Sequence, residues 1–390
     1  MNILHQCGHN GKWNLDALND GVGDGLIISP VHEGEARVST LAKDVRAVSV
    51  FDPQFYLPNS QKAKLNSFAF FPETIANGFS TLDYSIVSAE SAKLCVAYQM
   101  RQGFSKIIIP TRFYEQMTSD FTDKQEAYTV AAFLRELSKH KLKRPIFITL
   151  AITSHMVLDT KYRTHLLNWI TSFPEVSGVY LIVDCERNTK QIAVPDFILE
   201  MLVMLTELRE AGLEVMLGYT NTESLLYLVA GDIDITIGAY ENTRMFSLDK
   251  FIVSDEDRRA PAARIYLPGL LNWIQFSQAK QIRSASPTVW SKVYDSTSHA
   301  EPLFKATKDP AFNQSPLYRH YFECFVKQVR FLEGKSLKDR YTVLRSWIQK
   351  AISLNEEISE IPIDLEKHGR GDHLQPWLDA LNSYYASFLK

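Results

Sequence analysis

Residues 213–246 read LEVMLGYTNTESLLYLVAGDIDITIGAYENTRMF. The short apolar run 215–217 ends in Gly218. Thr220, Asn221, Thr222 and Glu223 then give a helix-start signal, and a second apolar run, 233–237, ends in Gly238. Strand, polar loop, helix, strand, polar loop is the repeating unit of an α/β fold. In a barrel, both loops point into the active site.

Working outward, the same alternation continues. Residues 25–30 (GLIISP), 45–51 (VRAVSVF), 106–110 (KIIIP), 145–150 (PIFITL) and 179–183 (VYLIV) read as strands. Residues 88–102, with Ser88 as N-cap, 123–140, 161–172 and 195–211, with Gly212 as C-cap, read as helices. Residues 1–24 are polar and rich in Gly and Asn and read as a loop or edge hairpin. Residues 59–84, with Pro, Gly and many aromatics, read as a long active-site loop. Apolar strands alternating with amphipathic helices require parallel pairing and βα crossovers. Seven strands precede residue 240; an eighth at 264–267 (RIYL) would close a (β/α)8 TIM-type barrel, with an open doubly wound sheet as the alternative. The pattern from residue 315 is purely helical, at 318–333, 338–355 and 374–389. The expected organisation is a barrel domain over 1–300 and a helical C-terminal extension over 301–390.

Composition narrows the class. A net charge of -3 advertises no global basic field, although a local basic patch is invisible to such a total. Four scattered cysteines give no disulfide framework, which points to a reducing, cytoplasmic setting. No apolar run is long enough to span a bilayer, and the first residues are too polar for a signal peptide, so no membrane association is expected. No phosphate-binding glycine motif follows any strand.

A barrel puts chemistry just past the strand ends. Those positions hold Ser29, His32 and Glu33, then Asp52 and Gln54, Thr111 and Arg112, Thr153 and His155. Asp184, Glu186 and Arg187 follow, then Tyr219 and Asn221, and finally Tyr240, Glu241, Asn242 and Arg244. Each alone is an ordinary solvated loop residue. As a ring, they bring carboxylates to a pocket rim, where a carboxylate can act as nucleophile or general base.

The order of motifs resembles the tRNA-guanine transglycosylase superfamily, including the enzymes that insert 7-deazaguanines into DNA. Its M-P-V-x-T-x-G strand and Tyr-His-Leu segment are matched by Pro30, Val31, Gly34 and Tyr56. Its D-S-G-G-F-Q loop is matched by Gly78 and Phe79, and its helix start and G-E element by Arg163 and Glu186. Its final Y-L-M-G…E-D-L-L…T-R run is matched by Leu217, Gly218, Glu223, Leu225, Leu226, Gly231 and Arg244. The chain departs from the family where its nucleophile should stand. Thr236 or Ile237 replaces that aspartate, unless the register slips to Asp234, and Ile75 replaces the aspartate of D-S-G-G-F-Q. The zinc motif is absent from SQAKQIRSASPTVW. His320 and Cys324 supply only two ligands, and the His5–Cys7–His9 set on a polar tail reads as incidental.

The resemblance implies attack by a carboxylate on C1′ of a guanosine, release of the base and displacement by a second base. It requires no cofactor, and no metal is assigned. Carried onto this chain, Asp52 and Asp184 take the catalytic roles. Gln54, Tyr56, Phe79, Glu186, Arg187, Tyr219, Tyr240 and Glu241 form the base pocket, with Phe51 and Phe55 as further stacking surfaces. Asp232 and Asp234 lie at the wrong end of their strand. Three readings stay open: a base-exchanging enzyme acting on DNA or tRNA; a catalytically lapsed barrel, as a partner subunit or homodimer, that recognises a purine or 7-deazapurine base in nucleic acid; and an unrelated TIM-barrel hydrolase with a metal among His32, Glu33, His155 and Asp184. The basic–aromatic groupings of the C-terminal helices read first as amphipathic packing and second as a track for phosphates.

Overall fold

The computed structural model describes residues 1–78, 84–141, 143–185, 190–253 and 260–390. The expected site residues Phe79, Glu186 and Arg187 lie outside them. The chain divides into two compact units. The first comprises Met1–Cys185, Met204–Thr220 and Ile233–Asp255; the second comprises Glu186–Val203, Asn221–Asp232 and Glu256–Lys390.

The first unit is α/β; among the described residues its parallel strands are β1 Ile3–Gln6, β2 Gly25–Ile28, β3 Val50–Phe51, β4 Ile107–Ile109, β5 Ile146–Thr153, β6 Gly178–Asp184, β7 Glu214–Leu217 and β8 Ile235–Gly238. They pair as β3-β2-β1-β8 and β4-β5-β6-β7. A parallel bridge between Met216 and Asp234 joins β7 to β8. At the other edges, the Ser105 amide before β4 donates to the Ser49 carbonyl before β3 at 2.9 Å.

Three expectations are corrected here. The N-terminal stretch is a fully buried strand between β2 and β8, not a loop or hairpin. Residues 264–267 are not the eighth parallel strand: Arg264–Leu267 (β9) pairs antiparallel with Asn272–Gln275 (β10) in the second unit. Pro268–Gly269 makes the turn between them, which a βα crossover could not do in so few residues. Only Val50–Phe51 of the expected strand 45–51 is extended, and Lys43–Val48 is helical. That run is not apolar on both sides: Val45 is buried while Val48 is 47% exposed.

The helices follow the amphipathic periodicity, with shifted ends. The helix Tyr84–Gln102 starts a turn before Ser88, which is therefore not its cap. The helix Pro195–Glu210 ends as expected: Gly212 takes φ +82°, a left-handed conformation that glycine adopts without a side-chain clash. Residues 59–78 are not an open loop. Phe68 and Phe70 pack with Phe51, Tyr98 and Phe104, ring centroids 5.1–5.9 Å apart around Phe51, and Phe71 meets Phe55 at 5.9 Å.

The second unit holds the β9–β10 hairpin and the helices Ser315–Leu332, Leu337–Ser359 and Leu374–Tyr384, as the C-terminal pattern predicted. Tyr266 on β9 packs against Tyr321 and Phe325. Trp377 is completely buried, with its indole N–H donating to the Ile192 carbonyl at 2.8 Å. No helix among the described residues is long and apolar enough to cross a membrane.

Candidate functional site

The candidate site gathers at the C-terminal ends of the first unit's strands, where loops replace ladder hydrogen bonds and side chains must satisfy the backbone. Gln6 ends β1, Ser29 follows β2, Asp52 follows β3 and Tyr219 follows β7, while Tyr180 lies within β6. Gln6 donates from Nε2 to Ser29 Oγ at 3.1 Å and accepts from the Tyr180 hydroxyl at 3.3 Å. Parallel register puts Tyr180, Ile182 and Asp184 on one face of β6, level with Thr149, Ala151 and Thr153 of β5. Asp184 thus sits on the face that points at Gln6, at the strand's end, and is half-buried.

Asp52 is the centre of this network and is closed off from solvent. The Tyr56 hydroxyl lies within hydrogen-bond distance of both its oxygens, at 2.9 and 2.8 Å, and the Gln54 amide donates to Oδ1 at 3.0 Å. Gln54 in turn accepts from the Val31 amide at 2.8 Å and donates to the Tyr219 hydroxyl at 3.0 Å. Gln54 and Tyr219 both hold left-handed backbone, with φ 58° and 55°. Such conformations are uncommon for side-chain-bearing residues and cost about 1–3 kcal/mol each. Here, they turn two polar side chains toward one another across 165 residues of sequence.

Lys250 completes the group, and nothing in the sequence pattern marked it. Its Nζ lies 3.9 Å from the Tyr219 ring centroid and donates to the Asn242 carbonyl at 2.6 Å. The residue is half-buried, with its ammonium also 3.4 Å from the Met245 carbonyl. Burial pushes the Asp52 carboxyl up to about 7, against the hydrogen bonds of Tyr56 and Gln54 and the charge of Lys250. Burial also lowers the Lys250 ammonium to about 7, against the charges of Asp52 and Asp184. A carboxyl that titrates near neutrality can hold or give up a proton at physiological pH. Burial raises the Tyr56, Tyr180 and Tyr219 hydroxyls, so they stay protonated.

Aromatic rings wall this centre. Phe246 meets Tyr56, Phe113 and Tyr219 edge-on at 5.2–5.6 Å, and Phe251 meets Tyr56 at 5.3 Å. The approach is cationic. The His32 imidazole is held down to about 3, first by burial and then by Lys250, Lys64, His9 and Lys62. Lys64 donates to the His32 carbonyl at 2.5 Å.

The other expected residues fall elsewhere. Tyr240 accepts from the Asn10 side chain at 2.6 Å and packs 5.6 Å from Trp13, and Glu241 opens the short helix Glu241–Arg244. Phe51 and Phe55 are inside the aromatic core and present no ring to a ligand, which corrects their expected stacking role. At the position expected for the nucleophile, Thr236 is buried, with its carbonyl and hydroxyl bonded to Thr220 at 3.0 and 3.2 Å. Asp234 is at the opposite end of β8, where Asn2 donates to it at 2.7 and 2.9 Å.

His5 is not on a loose tail: it is buried in β1, 2.7 Å from the Val22 carbonyl. His320 is fully buried, 2.9 Å from both the Thr297 hydroxyl and the Tyr266 carbonyl. Among the described residues, no group of three or more His, Cys, Asp or Glu side chains is placed to hold a metal ion. Comparisons of the chain with protein-family models, with curated proteins and with solved structures give no match in any of the three.

Proposed function

We propose that the first unit is a (β/α)8 barrel whose strand ends form a carboxylate-centred site for a purine-type base carried on nucleic acid, working in the manner of a guanine transglycosylase. The pairing order from β1 to β8, the β8–β1 ladder, the bridge at Met216 and the bond between Ser105 and Ser49 all support closure. The observation that carries the functional reading is Asp52: a buried carboxyl near neutrality, with two hydrogen-bonding partners and the charge of the half-buried Lys250 acting on it. The cationic approach of Lys62 and Lys64 suits a phosphate-bearing substrate.

In this reading Asp184, half-buried at the end of β6 on the face that points at Gln6, attacks C1′. The new bond to its oxygen replaces the bond from C1′ to the purine nitrogen, and the departing base takes its proton from Asp52. A second base then displaces Asp184 and returns a proton to Asp52. The motif order that resembles the transglycosylases starts on β2 rather than β1, so the proposal rests on the environment of Asp52 rather than on that order.

The test is exchange of labelled guanine into DNA or tRNA. We expect Asp52→Asn and Asp184→Asn each to lower exchange at least about a hundredfold while the fold persists. Wild-type protein that incorporates no base at all would rule out the enzyme. One observation favours the second reading, a recognition subunit: Asp52 has no exposed surface, and the Tyr56 hydroxyl sits against both its oxygens. Under that reading, guanine or a 7-deazaguanine raises the melting temperature but no exchange occurs.

A further inference from the structure

The helices Ser315–Leu332 and Leu337–Ser359 of the second unit bury most of their aromatic side chains, including Tyr318, Tyr321, Phe322, Phe325 and Tyr341. Phe331 is the exception. It is 56% exposed and leans on the half-buried Trp347, with ring centroids 5.7 Å apart. The Lys335 ammonium stands 4.6 Å from the Phe331 ring centroid. Lys327 lies one turn before Phe331 on its helix, and Lys350 one turn beyond Trp347 on the other. Lys327 and Arg330 pair with Asp295 and Glu333 at 3.0 and 3.2 Å, whereas Lys335 and Lys350 form no ion pair among the described residues.

The charge around this pair is lopsided. Within one helical turn of the two rings along the sequence stand Lys327, Arg330, Lys335, Arg345 and Lys350 against Glu333 alone, in a chain whose net charge is -3. A packed helix pair needs neither an outward phenylalanine nor an excess of cations around it. An exposed ring beside lysines suits an unpaired strand, where stacking is indifferent to sequence and the backbone supplies the negative charge.

We infer that the face formed by Phe331, Trp347, Lys327, Lys335 and Lys350 docks single-stranded nucleic acid, with Phe331 stacking on a base. It involves none of the residues around Asp52, and it extends the reading of that site by assigning a place for the strand itself. The experiment is fluorescence anisotropy of the full chain with labelled oligothymidylate and oligouridylate of roughly 20 nucleotides. Engaging about three phosphates should give a log–log salt slope near −2. Phe331→Ala should weaken binding about tenfold. Lys335→Glu with Lys350→Glu should weaken it more and flatten the slope, while the control Lys305→Glu with Lys308→Glu, elsewhere in the same unit, should leave it unchanged.

The inference is overturned if the wild type binds no single strand, if Phe331→Ala binds like wild type, or if the control pair loses as much as the test pair. Binding a duplex as tightly as a single strand would also overturn it, as would a protein ligand that alone depends on Phe331. Because the readout is binding, a chain that fails to exchange guanine leaves this result intact, and the two proposals fail separately.

Discussion

Asp52 and Arg340 are both charged side chains shut away from water, and the two units treat them differently. Arg340 in the second unit is answered by acceptors. It donates to the Leu332, Leu228 and Gly231 carbonyls at 3.2, 2.9 and 3.0 Å and to Asp232 at 2.6 Å. Asp52 in the first unit is held by neutral donors, and burial drives its carboxyl up to about 7. A charge met by fixed carbonyls and a carboxylate is a structural rivet. A carboxyl met by hydroxyl and amide groups keeps a choice of protonation state, which is what proton transfer requires.

The contrast can be broken by substitution. Arg340→Ala takes the guanidinium donor from the Leu228 and Gly231 carbonyls, while Leu332 keeps the Lys335 amide, and should cost about 2–5 kcal/mol, read as a lower urea midpoint. Asp52→Asn should instead show its effect in pH dependence. With the folded carboxyl raised from 3.8 to about 7, the stability it contributes is full below pH 3.8 and is lost as pH rises to 7. Wild type should therefore lose on the order of 4 kcal/mol relative to Asp52→Asn over that interval. A flat difference between the two would mean that Asp52 is an ordinary ionised carboxylate.

His320 provides the opposite sign. Burial lowers its imidazole from 6.5 to about 4, so its contribution is present above pH 6.5 and lost as pH falls to 4. Wild type measured against His320→Gln should gain on the order of 3 kcal/mol between pH 4 and 6.5, again from urea midpoints. Gly218→Ala is a smaller perturbation. A Cβ there would lie 2.6 Å from the Tyr180 ring, and the overpacking should cost about 1–3 kcal/mol in thermal melts. Phe331→Ala, on the exposed face of the second unit, should change stability by no more than about 0.5 kcal/mol. A larger loss would show that the ring belongs to the core and not to a docking surface.

Parts of this arrangement were legible in the chain, and parts were not. Strands such as Ile107–Ile109 and Gly178–Asp184 are legible because strands buried on both faces read as unbroken apolar runs. Strand β1 escaped notice because His5 and Gln6 are polar, and partners such as the Val22 carbonyl, Asn14, Ser29 and Tyr180 make their burial tolerable. The missed hairpin did carry a signal, the Pro268–Gly269 turn dipeptide. At the site, Asp52, Gln54, Tyr56 and Tyr219 do meet, since strand ends converge wherever parallel strands align. Lys250 could not be found that way. It lies beyond a strand end by more than ten residues and reaches Tyr219 only through the turn that Phe246 and Phe251 anchor.

By itself, the sequence determined the α/β class and the helical C-terminal segment, because hydrophobic periodicity is local and each period has a matching backbone geometry. The tertiary structure decided the rest. It brought Ile3–Gln6 between two distant strands, buried Phe51 in an aromatic cluster and set a lysine beside a carboxyl nearly 200 residues earlier. Burial and neighbouring charge fix a side chain's protonation state, and both are sums over residues far apart in the chain.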